Sequence, residues 1–296
     1  MKKKVVVLFL GVALLIALSA VFIISNKEKE TTELYLYPTY GYVCLDEIDQ
    51  LLSVPLVYRN GTDQSDEEFF AGFSSLRLIT DNGEVIYPKE FEINTSKKKA
   101  IENSKYSITN LNFVISETEF NFEDEQCVKR VEIENEANET VTLLELDAGD
   151  FILKKQASDT EDLGVTTTMF FQRIALPLLK KYQILVSNEN EIEYKLLEFN
   201  AGALFTAGPY DTDVILPAKI QGETVFTTII TNISEEKESD MMRAVFLRPE
   251  LVFEDAGGNR IKKIPDNLSV FYYGLTDAES IGKMVEARKE SNDNSR

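Results

Sequence analysis

Hydrophobic residues first occur along the chain as one uninterrupted run, from Val5 to Ile24. The run contains 20 apolar or small residues and no ionisable one, and Lys2, Lys3 and Lys4 precede it. An α-helix of that length spans about 30 Å, roughly the hydrocarbon thickness of a bilayer. Because basic residues flank only its N-terminal side, the pattern predicts a transmembrane anchor at 5–24 behind a basic cytoplasmic tail at 1–4.

The same residues also fit a cleaved secretory signal, with a small-residue cleavage site at Ala17-Leu18-Ser19. The apolar run continues past that site to Ile24, which favours a retained anchor. A buried core helix is the third interpretation. The anchor interpretation makes the chain a single-pass membrane protein, with its N-terminus in the cytoplasm and its bulk outside.

Beyond a charged linker at 25–32, the pattern changes to short apolar stretches separated by polar turns. Alternation of period two, as in YSITNLNFVISETE at 106–119, is typical of strands with one buried face. The pattern predicts an all-β fold of two tandem immunoglobulin-like sandwiches. The predicted boundaries are 33–155 for the first domain, 156–164 for a polar linker and 165–275 for the second domain.

A helical period appears near the C-terminus. Thr276 and Glu279 have the spacing of a capping box. Four apolar positions behind them recur at helical spacing: Ala278, Ile281, Met284 and Val285. We expect a short helix at 276–290 that packs on the second domain, followed by a disordered tail at 291–296.

One order of elements recurs along the chain: strand, polar turn, strand, Asp-x-Gly turn, strand. It occupies 54–88, again 225–265, and in part 131–155. Such an internal repeat is consistent with tandem β domains. Because Asn, Asp and Gly are the residues that tight turns favour, the repeat places hairpin turns at Asn60, Asp81, Gly83, Asn232, Asp255 and Gly258.

The charge balance is strongly acidic. The formal net charge is −19, from 31 basic and 50 acidic residues. Such a surface repels nucleic acid and attracts cations or basic partner surfaces. Solubility alone is the other interpretation of this charge.

The chain contains no histidine. Ser-His-Asp and Cys-His nucleophile systems are therefore excluded, and so are zinc sites that need histidine. Catalysis would depend on other groups, such as a pair of carboxylates, and a glycosidase needs that pair in a cleft. The acidic stretches 66–68 and 123–125 fit solvated turns better, so no catalytic residue is predicted.

Calcium is the only cofactor that the sequence suggests, since carboxylate and carbonyl oxygens are its preferred ligands. Two short acidic stretches offer such groups, and plain turns are the other interpretation of both. The candidate ligands are Asp211, Asp213, Asp147 and Asp150.

The chain has two cysteines, Cys44 and Cys127. Outside the cytoplasm the default for such a pair is one disulfide. Two buried thiols are the alternative.

The unit at 227–261 resembles a small immunoglobulin-like extracellular domain found on membrane-anchored proteins of Gram-positive bacteria. The matching residues are Asn232, Asp255 and Gly258, and in the first copy Asn60, Asp81 and Gly83. The turn at 233–240 is longer and more acidic than in that family. The resemblance implies an extracellular accessory or binding module without a common enzymatic activity.

These observations together predict a non-catalytic, membrane-anchored extracytoplasmic protein of the cell envelope with a binding or presentation role. Its expected partners are the membrane through 5–24 and a protein or envelope component, in particular a basic one, and not nucleic acid. One alternative is an extracytoplasmic accessory or sensing subunit whose anchor packs on partner helices. The other alternative is a carboxylate hydrolase.

Overall fold

A computed structural model of the chain describes residues 32–120, 125–146, 150–160, 162–172, 179–188, 192–202, 207–209, 216–220, 222–230, 243–273 and 277–294. Within these residues the chain is mostly β, with antiparallel and mixed sheets and few helices, which confirms the all-β class. The predicted anchor at 5–24 lies outside them. Among the helices in the described ranges, none is both long and apolar enough to cross a bilayer.

The first sheet has five antiparallel strands and comes entirely from the N-terminal half of the chain. Its central strand at Ser107–Ile115 alternates buried and partly exposed residues, as the period-two pattern predicts. In spatial order the strands are β1 (Glu33–Leu36), β3 (Gln50–Arg59), β8 (Ser107–Ile115) and β6 (Glu90–Ile93), with β7 (Lys99–Ala100) also on β8.

The second sheet has eight strands and draws them from both halves of the chain. In spatial order they are β21 (Ser269–Tyr273), β18 (Arg243–Arg248), β2 (Thr39–Leu45), β11 (Phe151–Lys155), β9 (Gln126–Asn135), β4 (Phe73–Thr80) and β5 (Val85–Ile86), with β10 (Thr140–Glu145) also on β9. Strand β2 runs parallel to both β18 and β11. The pairing of β2 with β18 joins the two halves.

Two four-stranded antiparallel sheets complete the C-terminal half. The third sheet is β12 (Leu163–Gln172), β13 (Leu179–Asn188), β17 (Glu223–Ile230) and β15 (Ala207–Pro209). The fourth is β16 (Ala218–Ile220), β14 (Tyr194–Asn200), β19 (Glu250–Glu254) and β20 (Arg260–Lys263). The α-helices are α1 (Asp66–Ala71) and α2 (Ala278–Asn294).

Two hydrophobic cores lie on opposite faces of the centre of the second sheet. In β2, Val43 belongs to the first core and Cys44 to the second, and in β18 Phe246 and Leu247 divide in the same way. Every residue of both strands is buried, as is usual for parallel strands covered on both faces. The two predicted domains therefore share a sheet, while their number and boundaries stay predictions.

The predicted linker is held by hydrogen bonds along β20. The amide of Asp159 donates to the carbonyl of Lys262 at 2.8 Å, and its carboxylate accepts from the Lys262 amide at 2.7 Å. The Gln156 amide donates to the carbonyl of Leu45 at 2.8 Å. The described part of this segment consequently contacts both β20 and the end of β2, and its role as a linker stays a prediction.

Helix α2 is longer than predicted, and it packs on the first core. It continues past residue 290 to Asn294, and Asp277 caps it by accepting from the Ser280 amide at 2.9 Å. Ile281 and Met284 are fully buried in the first core. The predicted packing of this helix on the second domain is wrong. Strands β18 and β21 belong to the sheet that covers the first core, so the chain that leaves β21 is already beside that core.

Candidate functional site

A groove of about 440 Å³ opens beside the start of β1, at one end of the first sheet. We call it the N-terminal groove. Its walls are the start of β1, helix α1 with the loop before it, and the hairpin between β9 and β10. Its apolar lining residues are Leu34, Phe69, Phe73, Ala137 and Val141.

Helix α1 shapes one wall of the groove through its caps. The Ser65 hydroxyl accepts from the Glu68 amide at 3.3 Å, and the Glu68 carboxylate accepts from the Ser65 amide at 3.2 Å. This reciprocal capping box fixes the first turn. The helix then buries Phe70 and leaves Phe69 half-buried in the groove, where its ring meets Phe73 edge-on at 5.4 Å.

The β9–β10 hairpin forms the opposite wall and is organised by one asparagine. The Asn135 side-chain oxygen accepts from the amides of Ala137 and Glu139, at 3.0 and 2.9 Å. The Glu136 amide donates to the carbonyl of Gly72, just after α1, at 3.0 Å. Because this last bond ties the hairpin to the helix, both walls of the groove are held in place.

The polar lining of the groove carries only negative charge. Glu68, Glu136 and Glu139 are exposed on it, and Thr62 and Gln64 supply neutral polar groups. None of the described lining residues is Lys or Arg. The groove therefore combines an apolar floor with three carboxylates whose charge no lining cation balances.

Beside the groove, Glu33 links the start of β1 to helix α2. Its carboxylate accepts from the Tyr106 hydroxyl at 2.5 Å and lies 2.9 Å from the Lys289 ammonium and 3.5 Å from that of Lys105. Burial alone would raise the pKa of Glu33. The hydrogen bonds from Tyr106 and Lys289, with the charges of both lysines, outweigh it and lower the pKa to about 2.

We expect Glu33→Gln to lower the free energy of unfolding by about 1 to 3 kcal/mol at pH 7. Since the folded pKa of about 2 lies below the ordinary 4.5, the stabilisation is present above pH 4.5 and lost as the pH falls towards 2. Urea unfolding at several pH values measures it. Glu198→Gln, which breaks an exposed ion pair with Arg260, is the control. A loss that stays constant down to pH 2 contradicts the assignment.

A buried ion pair lies at the junction of the two halves. Arg248 is 1% exposed and contacts both oxygens of the Asp46 carboxylate at 3.0 Å. Its remaining donors reach the carbonyls of Pro265 at 2.8 Å and Cys44 at 3.0 Å. All three guanidinium nitrogens are thus hydrogen-bonded, and the side chain links β18 to the end of β2.

A second carboxylate in this region, Glu250, is also paired. It accepts from Asn200 and Lys154, both at 3.1 Å, and lies 3.3 Å from Lys262. Burial would raise the pKa of Glu250, but the hydrogen bonds from Asn200 and Lys154 and the charges of both lysines lower it. A general acid in glycoside hydrolysis needs the opposite shift. The hydrolase alternative stays a prediction without support from this cluster.

The predicted turns fall in two classes. Gly83 and Gly258 turn hairpins with φ of +85° and +82°, after Asp81 in the β4–β5 connection and Asp255 in the β19–β20 connection. Asn60 does not turn a hairpin, because α1 follows it and β3 and β4 belong to different sheets. Its side-chain amide nitrogen instead donates to the Gln64 carbonyl and the Asp66 carboxylate, which closes the loop before α1. Asn232 lies outside the described residues.

The calcium prediction remains largely outside the described residues. Asp147, Asp211 and Asp213 all lie there, and only Asp150 is described. Asp150 is buried immediately before β11, and its carbonyl accepts from the Gly41 amide at 2.8 Å. The described ranges contain no group of three acidic or cysteine side chains that could hold a metal.

The predicted disulfide is not formed, and Cys44 and Cys127 are both thiols. Strand β11 lies between their strands, with Lys154 opposite Cys44 and Ile152 opposite Cys127. Two strand spacings separate the cysteines by about 10 Å, whereas a disulfide allows about 7 Å between Cα atoms. Burial raises the pKa of Cys44 to about 12, so its thiol is unreactive at neutral pH.

No family model and no curated protein matches the chain. One solved structure that matches is a protein of unknown function from Porphyromonas gingivalis W83. It has 12% sequence identity and a TM-score of 0.22, over 81% of this chain and 99% of that one. A match at this identity and TM-score supports no conclusion about fold or function. The resemblance to the Gram-positive immunoglobulin-like family stays a prediction.

Proposed function

We propose that the chain is a non-catalytic, membrane-anchored binding protein that holds two immunoglobulin-like sandwiches outside the cytoplasm. The N-terminal groove is its binding site. The observation that carries the proposal is that Thr32, in the groove lining, follows the predicted anchor closely along the chain. The binding site therefore lies where the chain leaves its anchor.

The length of the connecting segment limits how far the groove lies from the bilayer. Seven residues, 25–31, separate the apolar run from Thr32. Fully extended, they span at most about 25 Å. A groove so close to the surface suits a partner that is itself in or on the membrane.

The test is photo-cross-linking of the full-length chain in its native membranes. Benzoylphenylalanine replaces Gln64, an exposed groove residue, and in a control it replaces Ile48, which is 59% exposed. The ten-residue strand β3 lies between the two positions, a separation of about 33 Å. We expect one discrete cross-linked species from position 64 that is absent from position 48. Identical products from both positions, or none from position 64, contradict the proposal.

A second candidate is an accessory subunit of a membrane complex, in which the anchor itself contacts partner helices. The closeness of the groove to the bilayer favours it, because a partner in the groove lies within reach of the anchor. Replacing 5–24 with an unrelated anchor separates the two candidates. A binding protein keeps its cross-link at position 64, whereas an accessory subunit loses it.

A further inference from the structure

We propose that the N-terminal groove takes a peptide segment of a partner protein that carries both apolar and basic side chains. This inference rests on the proposed function and deepens it by naming the chemistry of the ligand. It follows from the shape of the floor, the sign of the charge around it and the composition of the chain that leads to it.

The floor of the groove needs an apolar occupant. Leu34 packs into the first core, and Phe69, Phe73 and Val141 are only partly covered against it. Filling the groove removes these rings and methyl groups from water, which stabilises the complex in proportion to the area covered. A volume of about 440 Å³ falls within the range of about 300 to 1,000 Å³ that is typical of ligand sites.

The rim of the groove selects the charge of that occupant. Glu68, Glu136 and Glu139 surround an opening whose lining has no described cation. Bringing a Lys or Arg beside them gains attraction, while an acidic side chain is repelled. The same carboxylates disfavour nucleic acid and anionic lipid headgroups, which leaves a basic peptide as the macromolecule that suits the groove.

The chain's own connecting segment does not meet both requirements. Residues 25–31, SNKEKET, contain no apolar side chain, and their two lysines are balanced by two glutamates. That segment has nothing to fill the floor and no net charge for the rim. The connecting segment is therefore not the occupant, and the nearness of the bilayer points to the juxtamembrane part of a membrane partner.

The test uses the full-length chain in phosphatidylcholine nanodiscs and a short synthetic peptide of alternating Leu and Lys with one Trp. The chain has no tryptophan, so it adds no background to the tryptophan fluorescence of the peptide, which is compared with the signal from empty nanodiscs. Two further peptides replace Lys by Glu or Leu by Ser. We expect the Leu-Lys peptide to bind at least about tenfold more tightly than either, and more weakly as salt rises. Equal or tighter binding of the Glu peptide overturns the proposal.

Variants of the chain then locate the site. Glu68→Gln, Glu136→Gln and Glu139→Gln together remove the rim charge, while glutamine keeps the capping of α1. The matched control removes the same charge at three exposed positions elsewhere: Glu47, Glu84 and Glu90. We expect about a tenfold loss of affinity from the rim variant and less than about twofold from the control. Equal losses mean that net charge alone attracts the peptide, which overturns the proposal.

The failure of this inference is distinguishable from failure of the proposed function. Ala137→Phe narrows the groove at an exposed turn residue. If the Glu or Ser peptide binds best and Ala137→Phe weakens it, the groove is a binding site with a different ligand. If no peptide binds and position 64 gives no cross-link in native membranes, the groove is not a binding site and both proposals are wrong.

Discussion

Replacing Asp46 with alanine is expected to lower the free energy of unfolding by about 3 to 5 kcal/mol. The substitution leaves Arg248 charged and almost fully buried, with two carbonyl partners but no counter-ion. Losing one partner of a buried pair costs far more than the pair itself contributes, because the remaining charge is poorly solvated. Urea unfolding followed by circular dichroism measures the change.

Two comparisons make this result specific. Asp49→Ala breaks an ion pair with Lys89 in which both side chains are about half exposed, and it should cost little stability because water and salt screen the pair. Asp46→Ala combined with Arg248→Met removes both charges and should recover much of the loss. A cost for Asp46→Ala no larger than that of Asp49→Ala contradicts the buried-pair description.

Phe246→Ala is expected to cost about 3 to 5 kcal/mol, because it opens a cavity in the first core that the sheet cannot close. Phe246 is fully buried in β18 and packs near Phe151. Gly41 on the neighbouring strand lies so close that an added Cβ would be 2.5 Å from the Phe246 carbonyl. We expect one cooperative unfolding transition for the wild type, shifted as a whole in the variant, since β18 links both cores.

The matched control for Phe246 is its partner across the strand pair. Val270 lies opposite it on β21 and is 37% exposed. Val270→Ala should therefore cost less than about 1 kcal/mol. If Phe246→Ala unfolds only one part of the protein in a separate transition, the shared sheet does not couple the two cores.

The sequence was sufficient for the fold class but not for the way the strands combine. Period-two alternation identified strands such as β8, where one face is buried and the other is not. In β2 and β18 every position is buried, so neither strand has the alternation that would show which face meets which core. Pairing of β2 with β18 across some 200 residues depends on long-range packing that no local pattern encodes.

The candidate site was only partly predictable. Ser65 and Glu68 have capping-box spacing directly before Phe69, a signal that would have identified α1 and moved Asn60 out of a hairpin. The groove itself depends on Glu136 in a distant hairpin bonding to Gly72. The disulfide prediction failed for a similar reason, since only the topology shows that β11 separates the two cysteines.

The measurement that tests the central claim most directly is the yield of cross-link at position 64 in native membranes, with and without Ala137→Phe. If the N-terminal groove is the binding site, one product forms in the wild-type background and falls about tenfold when the groove is narrowed. The product pattern from position 48 should not change. A cross-link at position 64 that is indifferent to Ala137→Phe would show that the groove is not where the partner binds.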